Sequence, residues 1–355
     1  MKQCGELWGE PPTKGVAMRS SSRWGLFLGA AALIAVMAVG LAVAGCGSSS
    51  SSTSASPTPS SSSSGAVAAT WTAADLTAIQ TDSALTAMLP SNIQSAGEIK
   101  CLSDIPYPPW EYFDPPTSTN PAGFDYDLSQ ALGKKIGITV KFIDMPFDSI
   151  LLALKGGKAD MTMSGMYDSA ERQKAGFSFV DYTTDGTGIL VIKGNPQGIT
   201  GLDSLAGKTV SCENGTTQQA FLTDLNKQFT AAGKTKMQIL SLPGQPEALL
   251  SVKSNRAVAD LTDFSTALNI AATTNNGNTF EVVRDPAAPY APQMDGIGML
   301  TTNTQLVDTM QKALQALMDD GTYQKIVAAW GFVPLATAEV NAGPAYAASH
   351  ATPAP

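Results

Sequence analysis

The sequence predicts an α/β protein built on mostly parallel sheet, and three observations lead there. Short apolar runs alternate with helical patterns from Ile99 onward, the order expected when helices cover both faces of a sheet. The alternation begins afresh after Gly186, and 355 residues are enough for two such sets. A composition of 43% hydrophobic and 15% charged residues supplies the apolar material for two cores.

The N-terminus precedes all of this. Residues 1–17 are polar and match nothing that targets or folds, whereas Met18 followed by Arg19 and Arg23 looks more like a start. Trp24 to Val43 carries no charge and is long enough to span a bilayer. The rival reading is a cleaved signal peptide. Val43–Ala44–Gly45–Cys46 favours the rival, because it resembles the lipobox of bacterial lipoproteins, in which the cysteine is lipidated and becomes the first residue. Residues 1–45 are therefore expected to be a signal peptide, Cys46 the lipid anchor, and 46–70, mostly Ser, Thr, Pro and Gly, a flexible tether.

The formal charge of −8 falls to −10 once the four basic and two acidic residues of 1–45 are removed, so nucleic acid is excluded as a partner. His350 is the single histidine and lies in the tail, which leaves His-based catalysis and His-ligated metals without residues. No cofactor is expected.

Trp71 to Gly97 reads as an amphipathic helix (Leu76, Ile79, Leu85, Met88, Leu89) stopped by Pro90, giving an N-terminal extension over 71–96. Ile99–Leu102 is a predicted strand, Tyr126–Ile136 a helix, and Thr139–Ile143 a strand. Asp148 is expected to cap a helix that runs to Leu154 and ends at Gly156–Gly157. Ala159–Met163 follows as a strand. Asp168 then stands three residues before Glu171, the spacing of a capping box, which puts Arg172 in the first turn of a short helix. A rigid fork of donors at a strand end suits bidentate capture of a carboxylate; the alternative is a surface ion pair with Glu171 or Asp168.

The second set has strands at Gly188–Ile192, Thr209–Cys212, Met237–Leu240, Val258–Leu261, Glu281–Val283 and Gly296–Leu300. Its helices are Thr217–Phe229, Glu247–Ser254 and Phe264–Thr274, followed by Leu306–Asp319 and Tyr323–Trp330. The Ala- and Pro-rich segment 336–355 reads as a loose tail. Cys101 and Cys212 fall in strands of different sets and read as buried, reduced thiols rather than a bridge.

With these elements in place, the region from about 97 to 332 resembles the bacterial extracellular solute-binding proteins of family 3, which serve polar amino-acid ABC importers. The matching stretches, in order, start with Asp104, Tyr107–Pro108–Pro109–Trp110–Glu111 and Gly123–Phe124–Asp125–Tyr126–Asp127–Leu128. Glu171–Arg172–Gln173–Lys174 with Phe177, Ser178 and Tyr182 comes next, then Gly207–Lys208 and Gly215–Thr216–Thr217–Gln218. Asp263 and Asp320–Gly321–Thr322–Tyr323 through Trp330 complete the series.

The resemblance implies a two-lobe flytrap fold with two crossover hinge strands, lobe 1 being 97–185 with 296–335 and lobe 2 being 186–295. The crossings are expected near Thr184–Thr187 and Asp295–Gly296. It further implies an amino-acid ligand, an ABC permease as membrane partner, a lipid-anchored monomer on the extracellular face, and no enzymatic activity. Arg172 would clamp the α-carboxylate, aided from the other lobe by Thr217 at a helix start. Asp263 would accept the α-ammonium with the Gly165 carbonyl. Tyr107 and Phe147 would sandwich the side chain, and Trp110 would line the mouth or belong to the core. Asp125 and Asp127 are read as structural.

Two departures matter. Tyr167 stands where the family usually has a small hydroxyl residue. Glu213, with Asp104, would make the far end of the pocket acidic, which suits arginine, then lysine or ornithine. Glutamine stays open if Asp104 is structural and Glu213 faces solvent. An enzyme of dehydratase type on this fold and an amino-acid sensor module are the alternative functions.

Overall fold

The structure, a computed structural model, describes residues 70–351. The expected signal peptide, Cys46 and the serine tether lie outside the described residues. Among the described residues no helix is long and apolar enough to cross a membrane.

Three short helices, α1 (Ala73–Ala78), α2 (Ser83–Met88) and α3 (Ser91–Ala96), stand where one amphipathic helix is predicted. The side chain of Thr72 caps the first, the chain turns extended at Ile79, and the Asp82 carboxylate accepts from Ala84 N to cap the second. Pro90 precedes the third. Periodicity survives the breaks: Ile79, Leu85, Leu89 and Ile93 all enter the neighbouring core.

The first α/β set comprises β1 (Glu98–Ser103), β2 (Tyr112–Phe113), β3 (Pro121–Ala122), α4 (Phe124–Ile136), β4 (Thr139–Asp144), α5 (Phe147–Lys155), β5 (Met161–Thr162) and α6 (Ala170–Lys174). A long strand, β6 (Phe177–Ile192), leads into β7 (Thr209–Glu213), α7 (Thr217–Ala231), β8 (Gln238–Leu242), α8 (Gln245–Lys253), β9 (Ala259–Asp263), α9 (Phe264–Thr273) and β10 (Phe280–Val282). The chain returns through β11 (Tyr290–Leu300) to α10 (Thr304–Asp319), α11 (Thr322–Trp330), β12 (Glu339–Val340) and α12 (Gly343–Ser349).

The main sheet runs β4-β1-β5-β11-β6-β9-β7-β8, with β10 and β12 also paired to β6. The β1 strand is parallel to β4 and β5, and β7 is parallel to β8 and β9, so each end of the order is a parallel α/β lobe. Between them β6 and β11 run antiparallel, pairing Thr187 with Tyr290, Thr184 with Met294 and Asp181 with Gly296. The predicted strand Gly188–Ile192 is thus the last part of a 16-residue strand that serves both lobes.

Each lobe has its own core. Phe124, Leu128, Leu132, Met161, Ile297, Met310 and Leu314 pack in the first, against which α10 lays its apolar stripe. Val191, Leu202, Val210, Leu222, Phe229 and Leu261 pack in the second. Cys101 and Cys212 are buried and unbridged, one in each core.

Three local expectations are corrected. Asp148 lies in the first turn of α5, after Pro146, and its carboxylate takes Asn214 Nδ2 at 2.8 Å instead of a capping N–H. Ser169, not Asp168, caps α6 by accepting from Arg172 N at 3.3 Å, because both Asp168 oxygens are occupied by Gly343 N and Gln173 Nε2. Residues 336–351 are not loose: β12 and α12 are hydrogen-bonded to the first lobe, through contacts with residues far away in sequence.

Candidate functional site

The ends of β1, β7 and β9 meet the α6 segment around a narrow, nearly closed cavity of about 10 Å³, room for about one water. It is lined by Asp104, Tyr107, Phe147, Gly165, Tyr167, Arg172, Glu213, Thr216, Thr217, Gln218 and Asp263. Nine of the ten residues predicted for the pocket therefore share one cavity with residues from both lobes.

Arg172 is held by its own short helix. Its Nη1 donates to the Tyr167 carbonyl at 2.6 Å, and the guanidinium carbon sits 5.5 Å from the centre of the Phe147 ring. Burial lowers its pKa to about 10, against the opposing pull of Asp263, Asp295 and Asp168. The guanidinium stays charged at neutral pH and keeps donors free for an anion.

Asp263 occupies the N-cap position of α9, yet its side chain makes no capping bond. It accepts from Gln218 Nε2 instead. Burial, then the nearby Asp185, pushes its carboxyl up to about 8, so a cation arriving here would displace a proton. Thr216 is the N-cap of α7 and accepts from Gln219 N at 3.3 Å. The Gln219 carboxamide oxygen accepts Gly215 N at 2.9 Å, one residue ahead of the N-cap. Thr217 opens the helix beside the cavity, where the first-turn N–H groups favour negative charge.

The far end is made by two acids from different lobes. Asp104 Oδ2 accepts Phe147 N at 3.1 Å, and the Asp104 carboxyl lies close enough to that of Glu213 for each to perturb the other. Glu213 is 4% exposed, and its Oε1 has no hydrogen-bond partner. Burial, followed by the Asp104 contact, pushes the Glu213 carboxyl up to about 11, and burial raises Asp104 as well. Two carboxyls in contact must share a proton.

Tyr107 and Phe147 both line the cavity, but the Tyr107 hydroxyl is engaged across the lobes. It lies 2.8 Å from Thr262 Oγ1 and accepts from Asp263 N at 3.2 Å. Tyr167, the departure from the family pattern, is buried; its hydroxyl donates to the Gly186 carbonyl at 3.2 Å, at the hinge.

Trp110 does not line the mouth. It is fully buried, with its ring centre 4.4 Å from that of Phe332 and 5.9 Å from that of Phe124. Gly165, at φ 49°, passes so close that a Cβ would lie 3.2 Å from the indole, so Trp110 forms the floor beneath a cavity residue. Asp125 lies in the same layer and accepts Gly165 N at 2.9 Å, while Asp127 accepts the indole N–H of Trp330 at 2.8 Å. Both acids are structural.

Three groups escaped the sequence reading. Gln218 belongs to a quoted motif, and its bond to Asp263 could have been sought there. Asp185 accepts Gly186 N and Ser265 N at the hinge. Asp295 is fully buried with neither carboxyl oxygen hydrogen-bonded, and nothing in the local sequence signals that.

Comparison with known proteins identifies the family. The profile of the bacterial extracellular solute-binding proteins, family 3, matches residues 99–333. The putative ABC transporter arginine-binding protein 2 of Escherichia coli (strain K12) is 29% identical over 249 residues, covering 70% of this chain and 96% of that protein. The arginine-binding extracellular protein ArtP of Bacillus subtilis (strain 168) is 30% identical over 251 residues, covering 70% and 92% respectively. Among solved structures, an ancestral arginine-binding protein bound to arginine shares 30% identity at a TM-score of 0.56, covering 66% of this chain and 98% of that one.

Proposed function

The chain belongs to the bacterial extracellular solute-binding proteins, family 3, and we propose that it is the lipid-anchored receptor of an ABC importer, binding a cationic L-amino acid, arginine first. The observation that carries the ligand class is the set of ionisable groups in the cavity: one guanidinium, Arg172, faces three carboxyls, Asp104, Glu213 and Asp263, and the last two hold protons that an incoming cation can displace. A zwitterion uses Arg172 and Asp263 and leaves the far pair over. A ligand with an additional positive group matches all four.

In this reading Arg172 grips the α-carboxylate, Thr217 and the α7 start add donors from the second lobe, and Asp263 takes the α-ammonium. The Gly165 carbonyl and Tyr167 border the ammonium end. Phe147 and Tyr107 flank the side chain, and Asp104 with Glu213 receives its cationic head. A glutamate or aspartate side chain would meet like charge there. Contacts from both lobes to one ligand favour the closed state, which is the form a permease partner would recognise. The names of the arginine-binding relatives support the same ligand class.

Calorimetry with arginine, lysine, ornithine, glutamine and glutamate tests the proposal. Arginine is expected to bind tightest, and Arg172→Ala to weaken it by about 2–5 kcal/mol while the fold persists. Tighter binding of glutamine or glutamate than of arginine would refute the cationic assignment.

A further inference from the structure

The family match ends at residue 333, yet the chain continues across the back of the site. Glu339 and Val340 add an antiparallel edge to β6, opposite Asp181 and Val180. Asn341, at φ 58°, then closes a ring on that strand: its N–H donates to the Phe179 carbonyl at 3.0 Å and its Oδ1 accepts Phe179 N at 2.8 Å. Its carbonyl accepts Gln173 Nε2 at 3.2 Å. Ala342 N donates to Asp181 Oδ2 at 3.0 Å, and Gly343 N to Asp168 Oδ2 at 2.9 Å.

These bonds converge on one place. Asp168 immediately precedes the cap of α6, Gln173 lies within it, and Arg172 stands between them. Asp168 also donates its N–H to the Met294 carbonyl of β11, so the same residue ties α6 to the hinge strand. Asp168 and Asp181 are buried, and no lysine or arginine forms a salt bridge with either among the described residues. The C-terminal segment gives each of them one backbone donor, and the second Asp168 oxygen takes Gln173 Nε2 of α6. Gly343 packs so tightly on Asp168 that a Cβ would collide with its carbonyl oxygen. Beyond it, Ala347 and Ala351 line a groove with Pro292 and Gln293 of β11 and Phe221 of α7, which belongs to the second lobe.

We infer that residues 339–351 form a positioning strap for Arg172: they hold its five-residue helix from behind and continue over the hinge strand to the second lobe. A five-residue helix is too short to hold its own shape in water, so it takes its orientation from what surrounds it. Strap residues do not line the cavity; they act through Arg172 as positioning residues. The inference rests on the reading that Arg172 holds the ligand carboxylate.

The test uses the full chain with Asn341→Gly, which keeps the backbone conformation and removes the ring, and Gly343→Val, which displaces the strap from Asp168. Arginine affinity is measured for each variant alone and combined with Arg172→Ala, with thermal melting as the check on folding. The expected result is a loss of about tenfold or more for each variant in the native background and little further loss when Arg172 is already alanine. Equal losses in both backgrounds would mean a merely structural role and would overturn the inference. So would unchanged affinity in the single variants, or failure of both to fold. If Arg172→Ala itself leaves affinity intact, the carboxylate reading fails first, and that result is distinguishable from all the others.

Discussion

The shared proton between Asp104 and Glu213 makes a quantitative demand on the proposed ligand. Both carboxyls are raised, burial being the main cause for each, and the nearby acids Asp144, Asp148, Asp260 and Asp263 push in the same direction. The pair therefore keeps its proton across neutral pH, and a guanidinium entering between the two acids must replace it. One proton released by the pair makes the dissociation constant fall tenfold per pH unit, so from pH 6 to 8 the pair alone strengthens binding by a factor of about 100, or about 2.7 kcal/mol. The sign follows from the direction of the shift: a raised carboxyl yields its proton more cheaply as pH rises.

Asp263 contributes a second linkage, since its carboxyl, up at about 8, meets the α-ammonium of any amino acid. The difference between ligands therefore isolates the pair. Calorimetry of arginine and glutamine in phosphate and in Tris, whose ionisation enthalpies differ, counts the protons. Arginine is expected to release one more proton than glutamine. Glu213→Gln should abolish that difference and weaken arginine by about 2–5 kcal/mol. Equal proton counts for the two ligands with a tight arginine complex would refute the reasoning.

Other outcomes follow from single contacts. Asp181 is fully buried, and burial followed by the nearby Asp168 pushes it up to about 8, so its contribution to stability is complete at acid pH and lost as pH rises through that value. Asp181→Asn keeps an acceptor for Ala342 N; if it recovers about 1 kcal/mol at pH 8, the melting temperature rises by about 2–4 °C there and not at pH 4. Tyr107→Phe removes the inter-lobe bonds to Thr262 and Asp263, worth about 0.5–1.5 kcal/mol each, and small-angle scattering is expected to show a larger radius of gyration; no change would mean the bonds do not hold the lobes together. Cys46→Ser is expected to release the protein from the membrane fraction or leave the precursor uncleaved, and normal processing with unchanged membrane retention would exclude the lipid anchor.

Much of the fold was legible because its signals are local. Apolar periodicity marks α10 with Leu306, Met310 and Leu314, and the α7 start announces itself with Gly215–Thr216. Gly215 is required there for a second reason: its φ is 77°, and a Cβ would lie 2.9 Å from Asp148 Cβ in the opposite lobe. Errors arose where the deciding partner is distant. Asp168 has capping spacing, but Gly343, 175 residues away, takes one of its oxygens. Alanine-rich composition makes residues 336–351 look loose, and what orders them is their pairing with β6 and their bonds to Asp168, Asp181 and Phe179, all distant in sequence. Trp110 sits in a pocket-lining stretch of sequence, and its burial depends on Phe332, from the other end of the chain. The acids of the site could be located by sequence, while their protonation depends on burial and mutual contact that no motif encodes.

The β6–β11 pair bears on kinetics. A loop hinge bends anywhere along its length, whereas this one is a ladder whose hydrogen bonds resist bending at every paired residue. Regular pairing lapses at two places, between Tyr290 and Gln293 and between Asp295 and Gly296. These are the compliant points, and the short rung section Gln293 to Asp295 between them behaves as a torsion bar. Gly296 and Gly186 leave no slack beside it, since a Cβ at Gly296 would lie 2.9 Å from Phe179 Cβ and one at Gly186 2.8 Å from Pro289 Cβ. Stiffening such a bar slows opening and closing together. Substitutions at the two irregularities are therefore expected to change the rate at which a bound molecule is exchanged more than its dissociation constant, which stopped-flow and calorimetric measurements on the same variants would check.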